Sequence, residues 1–318
     1  MFTHDYAFDP SGGYSLPELR ALQPPEAPEG FADFWRMRHA RVAGLDPAPR
    51  LGPAALDLPG WQVQELSYRS SGGSVINGWL LLPASGRMRR GLVVGHGYGG
   101  RVAPAPRVPA SDCAVLFPCF RGLGRSPLPG LSSNPLRHVL HGIEDRDRYV
   151  IGGCVDDLWL AVSALLALFP GLAGHVGYMG TSFGGGIGAL AAPWDVRIRR
   201  LHLEVPTFGH QALRLRLPCV GSGEAVRIRQ RLRAFDVMET LAWFDAASAA
   251  RFLTIPTHVA AACFDPAVPP AGQFAVANAV PEAWRHLFVL EAGHFDYPAQ
   301  AAREAALFSE LEGFFEDL

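Results

Sequence analysis

The sequence predicts an α/β fold in which a mostly parallel sheet carries helices on both faces. Three observations predict it. Short apolar runs bounded by Gly or Pro recur along the chain, and helical segments alternate with them over most of its length. About half of the 318 residues are apolar (49%), enough to fill one large core without disulfides or metals. We therefore expect a single domain spanning residues 1–318, with an N-terminal helical extension over about 1–60 and a helical insertion over about 206–250.

Taken in order, residues 30–42 follow Pro28 and carry Phe31, Phe34, Trp35 and Met37 at helical spacings, which predicts a short amphipathic helix. Residues 61–70 and 75–83 flank Ser71-Gly72-Gly73-Ser74 and read as a hairpin. Residues 91–95 and 114–117 are continuous apolar runs suited to strands buried on both faces. A crossover helix belongs between them, but Pro104, Pro106 and Pro109 leave room for little more than a turn. Then come a long helix over 149–169, a strand over 176–180, a Gly/Ala-rich helix over 183–192 and a strand over 200–205. The Arg-rich insertion interrupts the rhythm after this sixth strand and could form a lid, an oligomer surface or both; we expect a lid with an interface role. Alternation returns with strands over 255–263 and 286–290 and helices over 271–280 and 300–315.

Composition narrows the function. The formal net charge is −2, there is no lysine, and the arginines are scattered among acids, which excludes a nucleic-acid surface. Five widely spaced cysteines (Cys113, Cys119, Cys154, Cys219 and Cys263) lie mostly in apolar runs, with neither a disulfide framework nor a metal-ligand spacing. No basic segment followed by an apolar one opens the chain, so no signal peptide is expected. The longest apolar run, 158–169, is too short to cross a bilayer and fits a buried helix. These features predict a soluble, cytoplasmic protein with no membrane partner.

Gly180-Thr181-Ser182-Phe183-Gly184 matches G-x-S-x-G, with an apolar strand leading in and a small-residue helix leading out. That context suits a nucleophilic serine on a tight turn, where flanking glycines let strand and helix approach closely. A phosphate loop would require a lysine that the chain lacks. A serine hydroxyl needs a positioned base, usually a histidine held by a carboxylate, and an α/β-hydrolase places the acid and then the histidine after the serine. His202, His258 and His286 fall within strand runs and His210 within the insertion, whereas His294 lies just past the last strand. Asp265 lies at another strand's carboxyl end, one βα unit earlier. Ser182, Asp265 and His294 are thus the expected catalytic set. Backbone amides should stabilise the carbonyl oxyanion, one from Phe183 and one from Tyr98 in His96-Gly97-Tyr98-Gly99-Gly100. No cofactor or metal is called for.

The chain resembles carbohydrate esterase family seven, the acetyl xylan esterases and cephalosporin C deacetylases of the α/β-hydrolase superfamily. The likeness rests on Leu16-Pro17-Glu18-Leu19, on Phe31 to Trp35, on the His96 loop, and on Phe120-Arg121-Gly122-Leu123-Gly124-Arg125-Ser126. It continues through His141 to Tyr149, Asp265-Pro266-Ala267-Val268 and Gly293-His294. It implies deacetylation of small acetylated compounds without a cofactor, in a homo-oligomer. Two positions depart from the pattern: Leu123 stands where the family carries glutamine, and Phe295 where it carries an acid. Arg121 is expected to pair with an acid and pin its loop. The function expected is hydrolysis of short-chain, chiefly acetyl, esters of small molecules such as sugars or cephalosporin-type compounds through an acyl-enzyme on Ser182. Peptide or lactone hydrolysis is the alternative within this chemistry. Leu123 and Phe295 leave open a non-catalytic, hydrolase-like oligomer.

Overall fold

Each short apolar run becomes a strand of one nine-stranded sheet in the computed structural model, which describes residues 2–105, 107–232 and 235–318. Pro106, singled out in the sequence, lies outside these, as does Arg233 of the Arg-rich insertion. The strands are β1 (Arg50–Leu58), β2 (Trp61–Arg69), β3 (Val75–Pro83), β4 (Arg90–Gly95), β5 (Cys113–Pro118), β6 (Val176–Thr181), β7 (Ile198–Glu204), β8 (Thr257–Ala262) and β9 (Arg285–Leu290). Their order is β1-β2-β3-β5-β4-β6-β7-β8-β9. The first three pairings are antiparallel and all others are parallel. Every residue of β4, β5 and β8 is buried, as strands covered on both faces require.

The edge strand β1 departs from expectation. Its leucines (Leu51, Leu56 and Leu58) are separated by small or polar residues and Pro53, and the strand stands mostly exposed at the sheet's rim, so no continuous apolar run marks it. The N-terminal extension is accordingly not all helix. It holds helices Leu16–Ala21 and Phe31–Ala43 and then β1, and the insertion follows the seventh strand rather than the sixth. In the second helix Phe31, Phe34 and Trp35 are buried, while Met37 faces solvent. Among the described residues of 101–112 there is no helix, in keeping with the prolines. The insertion folds into the short helices Gln211–Arg214, Ser222–Arg231, Met238–Leu241 and Ala246–Ala250.

Helix Val150–Leu168 is long and apolar enough to span a membrane, yet it is mostly buried, packed against β4, β5 and helices Phe31–Ala43 and Phe183–Ala191. Two buried acids in it organise the loops around the site. Asp156 holds Arg38 through both carboxylate oxygens at 2.7 and 2.8 Å. Asp157 accepts from the Arg121 backbone N–H at 2.9 Å, from its guanidinium at 2.7 Å and from the Ser70 hydroxyl at 2.6 Å. Burial opposes the Arg121 charge, but Asp157 outweighs it and holds the guanidinium pKa above its ordinary value. The acid expected to pin the Arg121 loop is therefore Asp157. Removing one partner of such a pair leaves an uncompensated buried charge. Asp157→Ala is expected to lower unfolding stability by about 3–5 kcal/mol, read from urea denaturation; a loss within the error of the measurement would contradict this assignment.

Candidate active site

β6 ends at Thr181, helix Phe183–Ala191 begins at Phe183, and Ser182 between them has φ 56° and ψ −110°. A non-glycine residue in this region carries strain of about 1–3 kcal/mol and persists only when its surroundings over-determine it. They do so here. The Ser182 N–H donates to Glu204 O at 2.7 Å, and Ser182 O accepts from the Gly186 and Thr207 amides at 3.0 and 3.1 Å. A Cβ on Gly180 would lie 2.5 Å from the Gly184 carbonyl carbon, and one on Gly184 would lie 2.8 Å from that of Gly95. Strand and helix can meet this closely only with glycine at both positions.

His294 Nε2 lies 3.1 Å from Ser182 Oγ, and His294 Nδ1 lies 2.8 Å from Asp265 Oδ2. The fold thus gathers Ser182, His294 and Asp265 from three different loops at the carboxyl edge of the sheet. A carboxylate only accepts, so Nδ1 carries the proton and the Nε2 lone pair faces the serine hydroxyl. Asp265 is itself held firmly: Oδ1 accepts from the Ala267 and Val268 amides, each at 2.9 Å, and Oδ2 also accepts from Gln273 Nε2 at 2.9 Å. Gly293 permits the approach, since a Cβ there would sit 2.6 Å from Asp265 Oδ2. Partial burial lowers the His294 pKa, but the hydrogen bond and charge of Asp265, with the charge of Glu204, raise it on balance above its ordinary 6.5. Glu204 has its own pKa raised by burial, and the Thr181 hydroxyl donates to it at 2.6 Å.

The glycine loop after β4 is braced by two neutral histidines. His96 Nε2 accepts from the Phe120 N–H at 3.0 Å, which leaves Nδ1–H to donate to Gly97 O at 2.7 Å. Burial and the nearby Arg101 push its pKa down to about 3. His138 Nε2 donates to Arg121 O at 2.9 Å and its Nδ1 accepts from the Tyr98 hydroxyl at 3.0 Å. Burial lowers its pKa to about 4. Tyr98 in turn lies over Phe183, with ring centroids 4.1 Å apart. The two residues expected to supply oxyanion amides are thus in direct contact. Among the described residues neither of their N–H groups donates to a protein acceptor.

Ser182 and His294 open into a cavity of about 410 Å³. Tyr98 and the neighbouring glycines form one side, Pro135 and Leu136 a second, and Val220, Gly221 and Ser222 of the insertion a third, with Ala267 and Val268 beside the acid. The Val220 N–H donates to Pro266 O at 2.8 Å, tying the insertion to the acid-bearing turn. Among the described residues no tryptophan lines this cavity. The remaining histidines lie elsewhere. His202 and His258 face each other inside the sheet with Nδ1 atoms 3.0 Å apart, His286 is exposed, and His210 caps helix Gln211–Arg214. Leu123 is buried in the main core, and Phe295 packs against Phe264 at 4.9 Å between centroids. Gln273, Glu204 and His138 were not anticipated. Each acts through a contact between distant segments, and only the Gln273 position, inside the helix after the acid turn, offered even a local clue.

A family model described as acetyl xylan esterase (AXE1) matches residues 14–308. The chain belongs to that family. It is an acetyl-ester hydrolase of the carboxylic-ester class with an α/β-hydrolase fold. Similar solved structures include acetyl xylan esterase 1 of a Thermoanaerobacterium species, at 20% identity and TM-score 0.77, covering 96% of this chain and 99% of that one. An acetyl xylan esterase of a Paenibacillus species is similar at 20% identity and TM-score 0.77, covering 95% of this chain and all (100%) of the other. The acylaminoacyl peptidase of Pyrococcus horikoshii shares the fold at 12% identity and TM-score 0.62, covering 81% of this chain and 42% of its own. For this esterase the raised His294 pKa has a direct consequence. The imidazole should be protonated below a midpoint above 6.5 and neutral above it, and Asp265→Asn should bring that midpoint down. NMR titration of the His294 ring checks this; a midpoint that Asp265→Asn leaves in place would refute the assigned cause.

Proposed function

We propose that this esterase removes short acyl groups, acetyl foremost, from small alcohols through a covalent acyl-enzyme on Ser182. The observation that carries the reading is the chain of contacts Ser182 Oγ to His294 Nε2 at 3.1 Å and His294 Nδ1 to Asp265 at 2.8 Å, opening on a cavity. His294 takes the serine proton as Oγ attacks the ester carbonyl, and Asp265 steadies the imidazolium that forms. The carbonyl oxygen, now an oxyanion, receives the N–H groups of Tyr98 and Phe183, which have no protein acceptor of their own among the described residues. The tetrahedral adduct collapses as His294 returns the proton to the departing alcohol. Water then enters, gives a proton to His294 and attacks the acyl carbon; the second adduct collapses by breaking the bond to Ser182 Oγ, which takes that proton back as the carboxylic acid departs.

The cavity supports a small substrate. Beyond Ser182 and His294, the described residues of its wall are glycines, the short apolar residues Pro135, Leu136, Val220, Ala267 and Val268, and Tyr98, Thr207 and Ser222. Acetylated sugars and cephalosporin-type acetyl esters remain the substrate classes of choice. With no tryptophan among its described residues to stack on a long glycan, a small acetylated sugar fits this wall better than a polymer. The insertion, which supplies Val220 to Ser222, acts as the lid.

Stopped-flow hydrolysis of p-nitrophenyl acetate is expected to show a p-nitrophenol burst, and p-nitrophenyl octanoate to turn over far more slowly. Ser182→Ala should lose the burst and at least about four orders of magnitude in kcat. Wild-type turnover by Ser182→Ala would end this reading.

A further inference from the structure

The segment before the matched family region is a repeating aromatic strap. Phe2, His4, Tyr6 and Phe8 are half-buried, and the alternating Thr3, Asp5, Ala7 and Asp9 are exposed. An extended chain projects successive side chains to opposite sides, so this period of two lays one aromatic row against the protein. That row meets the two residues next to the site. Phe2 lies 5.1 Å from Phe264 and 5.6 Å from Phe295 between ring centroids, His4 lies 5.4 Å from Phe264, and Tyr6 lies 6.4 Å from Phe295. Phe264 precedes Asp265 and Phe295 follows His294. Phe2 also meets Tyr297 at 5.6 Å, closing the cluster.

The strap then makes a backbone contact with the acid itself. Asp9 accepts from the Ser11 and Gly13 amides at 2.9 and 3.1 Å, and Gly12 and Gly13 adopt positive φ of 66° and 79°. This turn presents Pro10 O to the Asp265 N–H at 3.1 Å. The family match begins at residue 14, so the whole strap lies before it. The acid expected after the histidine is replaced by Phe295, which is the residue the strap covers.

We infer that residues 2–13 are a positioning element that holds the Asp265 turn and the His294 loop in register, with the Phe2–Phe264–Phe295 cluster as the contact that joins them. This rests on the reading of Ser182, His294 and Asp265 as the reacting set. Aromatic pairs in such offset and edge geometries add attraction beyond their buried area, and catalysis is sensitive to small displacements of a base. Asp265, in contact with His294, and the charge of Glu204 act on its imidazole, and the charge of Glu304 acts on Glu204. Loosening the His294 loop weakens chiefly the contact with Asp265.

The test uses the full chain with Phe2→Ala and the conservative Phe2→Leu, assayed on p-nitrophenyl acetate across pH. Phe2→Ala is expected to lower kcat about tenfold with KM changed less than about twofold, and to move the acidic limb of kcat/KM to lower pH. Phe2→Leu should recover most of both. Wild-type kcat and an unmoved limb in Phe2→Ala, with or without a lower Tm, would overturn the inference, as would a change confined to KM. Ser182→Ala run alongside separates the two readings. An active Ser182→Ala removes the underlying mechanism, whereas an inactive one beside an unaffected Phe2→Ala removes only the brace.

Discussion

The whole site depends on how closely helix Phe183–Ala191 approaches the centre of the sheet. Side chains at positions 95, 180 and 184 would collide with backbone or with the Tyr178 hydroxyl, and without that proximity Ser182 could not be held at φ 56°. The helix also begins with the Phe183 amide, which has no protein acceptor among the described residues. Its ring reaches Tyr98, whose amide comes from a different loop. One packing constraint therefore sets the Ser182 backbone, the Phe183 amide and the ring contact with Tyr98.

Around this centre the polar groups are arranged in tiers. Asp265 touches His294, while Gln273 and the Ala267 and Val268 amides fix Asp265. His96 and His138 are kept neutral by burial and act as rigid hydrogen-bonding struts for the glycine loop. Farther out, Asp157 anchors the Arg121 loop, and Arg121 O in turn receives the His138 proton. The path from a buried carboxylate in a core helix to the Tyr98 ring is thus continuous, through Asp157, Arg121 and His138.

Much of this was legible in the sequence because it depends on local pattern. Gly-rich turns, apolar runs and chain order brought out Ser182, Asp265 and His294, and the structure places the three within hydrogen-bonding distance. What could not be read depends on contacts between remote segments. β1 carries no apolar run because it lies at an exposed edge. Gln273 looks like any polar residue in a helix until its amide is found against Asp265. The aromatic period in residues 2–8 is too short to announce an element, and it gains meaning only from Phe264 and Phe295, more than 250 positions later. Leu123 and Phe295 looked like losses because the sequence displays the missing polar group and hides the apolar partners that receive its replacement.

The third side of the cavity comes from Val220 to Ser222, in a segment that contributes no strand to the sheet and is tied to the acid turn through the Val220 N–H bond to Pro266 O. Part of the cavity wall and the Ser182–His294–Asp265 contacts are therefore supplied by separable stretches of chain. Substitution in the insertion can thus reshape the chamber while Ser182, His294 and Asp265 keep their places at the edge of the sheet.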